Sequence, residues 1–234
     1  MSEVRTVGFF RAGWLVAQKD LRLEWRSWET LAISLVFSLI VLVVFNFAFD
    51  LATVRELGPH RLVPGVLWTL LAFASVIGMA RSFQQERRNE TLAAILLAPI
   101  DRGALYLGKF AGNLVKLTIL ELVVVPLSAL LFDYDLLAVV WPMLGVLLLH
   151  STGLTALGTL FAAVVSRVGR GDALLATLLF PAATPLFISA VKCTGALLGD
   201  ESLGTVSNWL QLSAGFDVLY LLLALMGFEY VMEE

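Results

Sequence analysis

The chain has 234 residues, 59% of them hydrophobic and 15% charged, with a net charge of −3 and a mean hydropathy of +0.87. Soluble domains use about 45 to 50% apolar and about 25% charged residues, so this composition excludes an ordinary soluble enzyme and points to a membrane protein. Apolar runs of about twenty residues, each able to cross a hydrocarbon core of roughly 30 Å, recur along the whole chain and leave no stretch for a soluble catalytic domain.

The N-terminus, MSEVRTVGFFRAGWLVAQKDLRLEWR, has no apolar core followed by a small-residue cleavage site, so it is expected to stay on the mature chain. Phe10, Trp14, Ala17, Leu21, Trp25 and Trp28 recur at steps of three and four, while Arg11, Lys19, Arg22 and Arg26 fall off that stripe. This pattern predicts an amphipathic helix lying in the membrane interface. A cytoplasmic helix packed on another subunit is the alternative.

Six spans follow, at about Leu31 to Phe49, Leu62 to Ala80, Phe110 to Phe132, Leu136 to Val165, Ala173 to Val191 and Trp209 to Val231. Each is predicted helical because a helix satisfies its own backbone in lipid. The ends and loops on the N-terminal side carry Arg5, Arg11, Lys19, Arg22, Arg26, Arg81, Arg87, Arg88, Arg102, Lys109, Arg167 and Arg170. The opposite side carries only Arg55, Arg61 and Lys192. The excess of basic residues predicts that both termini are cytoplasmic. The domain organisation expected is an interfacial segment, 1–30, followed by a six-helix permease domain, 31–234, with a cytoplasmic coupling loop at 81–109.

That loop, RSFQQERRNETLAAILLAPIDRGALYLGK, is a charged island between apolar stretches. Asn89 is expected to cap a short helix over Thr91 to Leu97, with Glu90 near its positive end and Pro99 stopping it. Leu92, Ile95 and Leu96 form one apolar face, suited to the membrane surface or to a groove on a partner. Gly103, Gly108 and Lys109 imitate the phosphate-binding spacing G-x-x-x-x-G-K-[ST]. The eighth position is Phe110, without a hydroxyl for magnesium, and no strand precedes the loop. The stretch reads instead as the entry to the third span, with Tyr106 and Lys109 at headgroup depth.

Glu121 lies well inside the third span, where a carboxyl is costly and marks a candidate functional position. Lys116 is five residues away, off the helical pairing distance, and near enough to the cytoplasmic end that it can snorkel, so Glu121 needs a partner on another helix or a proton. His150 sits mid-span beside Ser151 and Thr152; it reads as interhelical hydrogen-bonding glue, with haem ligation as the alternative. Pro126, Pro142, Pro181 and Pro185 lie within or beside spans, where they bend helices. Cys193 is the only cysteine, which excludes internal disulfides and thiolate clusters, and it reads as packing. Two histidines, one cysteine and no basic soluble domain give no support for a hydrolytic triad, a metal site or a nucleic-acid surface.

Five stretches, KDLRLEWRSWETL, FNFAF, PGVLW, the island and TPL, together resemble the haem exporter B (CcmB) family. The island is the specific part. The family's loop signature, roughly F-x-x-D-x-x-D-G, falls on Phe83, Glu86, Asn89 and Glu90, with Glu for the first Asp, Asn for the second and Glu for the Gly. The resemblance implies an all-α permease of the ABC-2 type in the bacterial inner membrane. It also implies that a separate cytoplasmic ATPase (CcmA) docks on this loop, with Phe83, Glu86, Arg87, Arg88, Asn89, Glu90, Leu92, Ile95 and Leu96 as docking residues. Further partners implied are a CcmC-like haem-handling protein, a CcmD-like single-span protein, a CcmE-like haem chaperone and a second copy of the chain. ATP hydrolysis by the partner would be coupled to delivery of haem as a substrate or to release of the haem-loaded chaperone, with no cofactor held by this chain and no activity of its own as an enzyme. Other readings are an ABC-2 permease for a drug, lipid or polysaccharide, a proton-coupled secondary transporter using Glu121, and an assembly scaffold.

Overall fold

The computed structural model describes residues 8–49, 51–88, 101–168 and 172–233. Among them the elements are α1 (Phe9–Ser27), α2 (Glu29–Ala48), α3 (Leu51–Leu57), α4 (Pro59–Arg88), α5 (Arg102–Phe132), α6 (Leu136–Val168), α7 (Asp172–Leu198), a 3-10 turn (Leu203–Val206) and α8 (Ser207–Glu233). Six of the long helices, α2 and α4 to α8, are long and apolar enough to cross a membrane. These are the six expected spans, in the same order.

Helix ends follow local side-chain chemistry. The Asp101 carboxylate accepts from the amides of Gly103 (2.8 Å) and Ala104 (3.3 Å) and caps α5. Asp135 does the same for α6, accepting from Leu137 (2.9 Å) and Ala138 (3.3 Å). Asp133 ends α5 in the left-handed region, at φ 53°. Trp28, at φ 51°, turns the chain between α1 and α2 in one residue, and the buried Glu24 carboxylate reaches across to accept from the Leu31 amide at 3.0 Å. That bond satisfies an amide which the start of α2 leaves without a helical partner.

Helix α4 is the inner member of the bundle. Helix α4 packs against α2, α5, α6 and α7, and α6 packs against α4, α5, α7 and α8. Within the spanning windows 67% of α4 is buried, against 22% of α2, so the second span is wrapped by protein and the first mostly faces outwards. The outward faces carry large apolar side chains such as Phe47, Leu130, Leu137, Trp141 and Met226. In water such a surface would be an association liability; in lipid it is the required solvent-facing surface.

Several expected boundaries move. Helix α5 begins at Arg102 rather than near Phe110, and α4 continues to Arg88 rather than ending near Ala80. The island is therefore helical at both flanks, and its non-spanning part is shorter than 81–109. The short helix α3 was not foreseen, because seven residues give too brief a periodic signal. Pro64, Pro126, Pro142, Pro181 and Pro185 all lie inside helices. Cys193 is fully buried, as a packing residue should be.

Candidate functional site

Two regions gather the chemistry, one at the end of the bundle that holds α1 and the flanks of the island, the other at mid-span around α6. At the first, α1 presents three faces. Ala12, Gly13, Val16, Ala17 and Glu24 are buried, chiefly against α5, whereas Phe10, Trp14 and Trp25 are exposed on a second face and Arg11, Arg22 and Arg26 are exposed on a third. The aromatic stripe thus points away from protein, as an interfacial helix requires, and Ala17 at its edge is buried.

Residues 103 to 109, the stretch that imitates a phosphate loop, form the first turns of α5. The Gly103 and Ala104 amides are already taken by Asp101, so they form no anion cradle. Gly108 serves packing: a Cβ there would stand 2.5 Å from the Gly13 carbonyl oxygen and 2.6 Å from the Val16 Cβ. Tyr106 and Lys109, expected at headgroup depth, both turn inward, Tyr106 towards α6 and α8 and Lys109 towards α1 and α4. The Tyr106 hydroxyl donates to the Ala156 carbonyl at 2.9 Å. The Lys109 ammonium is 2.8 Å from the Asp20 carboxylate, donates to the Ser82 carbonyl at 3.0 Å and stands 5.2 Å from the Phe83 ring centre.

Phe83 is itself fully buried, so it belongs to this packed junction rather than to an outward docking surface. Glu86, Arg87 and Arg88 fall in the last turns of α4. Asn89, Glu90, Leu92, Ile95 and Leu96, and with them the expected helix over Thr91 to Leu97, lie outside the described residues. Arg81 pairs with Glu29 at 2.7 Å at the start of α2, near the same end, while Arg55 pairs with Asp133 at 2.9 Å at the opposite end. Both pairs are exposed and add little stability.

At mid-span, the consecutive residues His150 and Ser151 of α6 meet side chains on α4, α5 and α7. His150 is 1% exposed. Its Nδ1 lies 2.7 Å from the Val146 carbonyl, which can only accept, so Nδ1 carries a proton. Nε2 lies 3.0 Å from the Ser189 hydroxyl of α7, and the Trp68 ring of α4 is 5.4 Å away. Ser213 of α8 donates to Ser189 at 2.7 Å, and Trp68 donates its indole N–H to Thr194 at 2.9 Å. Both ring nitrogens of His150 are thus engaged within the protein, the arrangement of interhelical glue.

Ser151 donates to the Glu121 carboxyl, which supplies the partner on another helix that this residue needed. Lys116 does not snorkel outwards. It is 8% exposed and lines a cavity of about 30 Å³ with Thr30, Ser34, Ser75 and Asn113. A larger groove of about 220 Å³ runs between α5 and α6, walled by Glu121, Val125, Met143 and Leu147. Asp217 of α8 was missed in the sequence. It is 7% exposed, its Oδ1 has no hydrogen-bond partner, and it abuts Gly153 of α6. The rule that singled out Glu121 applies equally to Asp217, which lies inside the sixth expected span. Asp20 was not singled out in the sequence, though its carboxylate is 2.8 Å from the Lys109 ammonium.

The sequence model of the CcmB protein family matches residues 11–232. The chain belongs to the CcmB family. Heme exporter protein B of Bradyrhizobium diazoefficiens is 27% identical over 190 residues, covering 80% of this chain and 83% of that protein. Heme exporter protein B of Rhodobacter capsulatus is 28% identical over 175 residues, 73% and 76% of the two chains. The Paracoccus denitrificans protein of the same name is 30% identical over 176 residues, again 73% and 76%. This CcmB-family chain is accordingly an all-α, multi-pass membrane protein of the ABC-2 permease class, with six helices of spanning length among the described residues. The match runs through both regions described above, from α1 to α8.

Proposed function

We propose that this chain is the membrane permease subunit of an ABC transporter complex for haem export and cytochrome c maturation, and that it receives the work of ATP hydrolysis from a separate CcmA-like ATPase. The observation that carries the reading is the pair of helices α4 and α5, which end at Arg88 and begin at Arg102 and so bracket the stretch 89–101 between two spans. The charged groups Glu86, Arg87 and Arg88 fall in the last turns of α4, and Asn89, Glu90, Leu92, Ile95 and Leu96 come next in the sequence. A displacement of that segment would act on two spans at once, one of them the most enclosed helix of the bundle.

In this reading the segment faces the cytoplasm with both termini, and the membrane is the bacterial inner membrane. Two copies of the chain face each other, because an ATPase dimer needs two docking segments. CcmC-like and CcmD-like membrane proteins and a CcmE-like haem chaperone complete the complex, haem is the substrate, and ATP acts only through the partner. The test is charge reversal of Arg87 and Arg88, which reduces recovery of the ATPase with the tagged chain in mild detergent. Recovery at the wild-type level would overturn the docking assignment.

A second reading draws on Glu121, a buried carboxyl on the wall of the groove between α5 and α6. There the chain would be a proton-coupled transporter by itself. Purified chain in vesicles would then take up solute on a proton gradient and lose that uptake in Glu121→Gln; absence of uptake in the wild type removes this reading.

A further inference from the structure

The Lys109 ammonium sits where three helices meet. It faces the Asp20 carboxylate of α1 at 2.8 Å and the Ser82 carbonyl of α4 at 3.0 Å, and it belongs to α5. The lysine side chain is 1% exposed and that of Asp20 8% exposed, and Asp20 also lies 3.1 Å from the Lys19 ammonium, so the junction is a buried cluster of charges that water barely reaches. Ser82 and Lys109 lie on the two flanks of the 89–101 segment. One ammonium therefore ties those flanks to each other and both of them to α1. A second fixing point lies two turns away on the same face of α1, where Gly13 meets Gly108 so closely that a Cβ on Gly108 would stand 2.5 Å from the Gly13 carbonyl oxygen.

We propose that Lys109 is a positioning residue for coupling: through Asp20 and Ser82 it fastens the interfacial helix α1 to both flanks of the docking segment, so that α1 moves with that segment as one body. This rests on the reading of the segment as the place where an ATPase docks. Motion of the segment is then delivered to the membrane interface, through the exposed Phe10, Trp14 and Trp25 of α1, as well as to the spans α4 and α5.

The experiment uses the full chain with its ATPase, in a Cys193→Ala background, carrying spin labels at Leu15→Cys on α1 and Leu137→Cys at the start of α6, both exposed positions. The distance between labels is measured with and without a non-hydrolysable ATP analogue. The expected result is a nucleotide-dependent change in the wild type, loss of that change in Lys109→Met with the ATPase still recovered, and its return in the charge swap Asp20→Lys with Lys109→Asp. Asp20→Asn, which keeps the side-chain shape, serves as the second variant if Lys109→Met does not fold. An unchanged nucleotide response in the variants, or no response in a wild-type complex that does contain the ATPase, would overturn the proposal.

If the wild-type chain recovers no ATPase, the docking reading fails by itself. The fastening is then read in the chain alone: greater mobility of the label at position 15 in Lys109→Met supports it, and equal mobility rejects it.

Discussion

Gly13 of α1 and Gly108 of α5 meet backbone against side-chain-free backbone, and a methyl on Gly108 would come within 2.5 Å of the Gly13 carbonyl oxygen. Four residues further along α5, a methyl on Gly112 would stand 3.6 Å from the Asp20 Cβ, an ordinary contact. Gly108→Ala is therefore expected to push α1 off α5 at a cost of about 1–3 kcal/mol, the usual range for overpacking, while Gly112→Ala is close to neutral. Thermal unfolding in detergent checks this. Cys193 is the sole cysteine and fully buried, so its reaction with a thiol dye reports unfolding directly. Equal midpoints for the two variants would count against a close α1–α5 crossing.

A second prediction concerns Gly153 and Asp217. An added Cβ at 153 would collide with the Asp217 carboxylate and stand 2.8 Å from the Leu186 side chain. Gly153→Ala should lower the unfolding midpoint, and Asp217→Ala in the same chain should recover most of the loss. The coupling expected in the double-mutant cycle is about 1–3 kcal/mol, as for residues in direct contact. Asp217→Ala alone should be neutral to stabilising, because it removes a buried carboxyl oxygen that has no hydrogen-bond partner. Additive effects would place the two residues apart.

The third prediction separates glue from ligand at His150. Both ring nitrogens are held within the protein, by the Val146 carbonyl and the Ser189 hydroxyl. His150→Gln is expected to cost on the order of 0.6 kcal/mol for the one interhelical hydrogen bond at stake, to Ser189, in line with membrane double-mutant cycles. Haem absorbance of the purified complex should be unaltered. Loss of the haem band at unchanged stability would make His150 an iron ligand after all.

The six spans were legible because length and hydropathy alone define a helix in lipid, and their order and count come through in α2 and α4 to α8. The facing of each span was not. In a membrane helix the protein side and the lipid side are both apolar, so the periodicity that orients a soluble helix is erased. Leu130 at 79% exposure and Leu120 at 2% are the same residue type on one helix. Lys109 and Lys116 were misjudged for the same reason, since a basic residue near a span end looks alike whether it reaches outward or folds under a covering helix. Helix α1 provides that cover for Lys109 and helices α2 and α4 provide it for Lys116, and the packed face of α1, Ala12, Gly13, Val16 and Ala17, is made of residues too small to announce a contact. Glu121 was legible as a polar residue in an apolar run, though its partner Ser151 could only be found in three dimensions.

Trp28 joins α1 to α2 through a single left-handed residue, and Glu24 bridges the joint by accepting from Leu31. A connection with no spare residues carries no slack. The exposed tryptophans of α1 favour the headgroup plane, and the first span hangs from that plane at a fixed offset. Bilayer thickness thereby enters the conformational energy of the whole bundle. A thicker or thinner membrane cannot be met by letting α2 slide past α1; it has to be met by tilting α2 against α4, the helix that runs on into the charged segment.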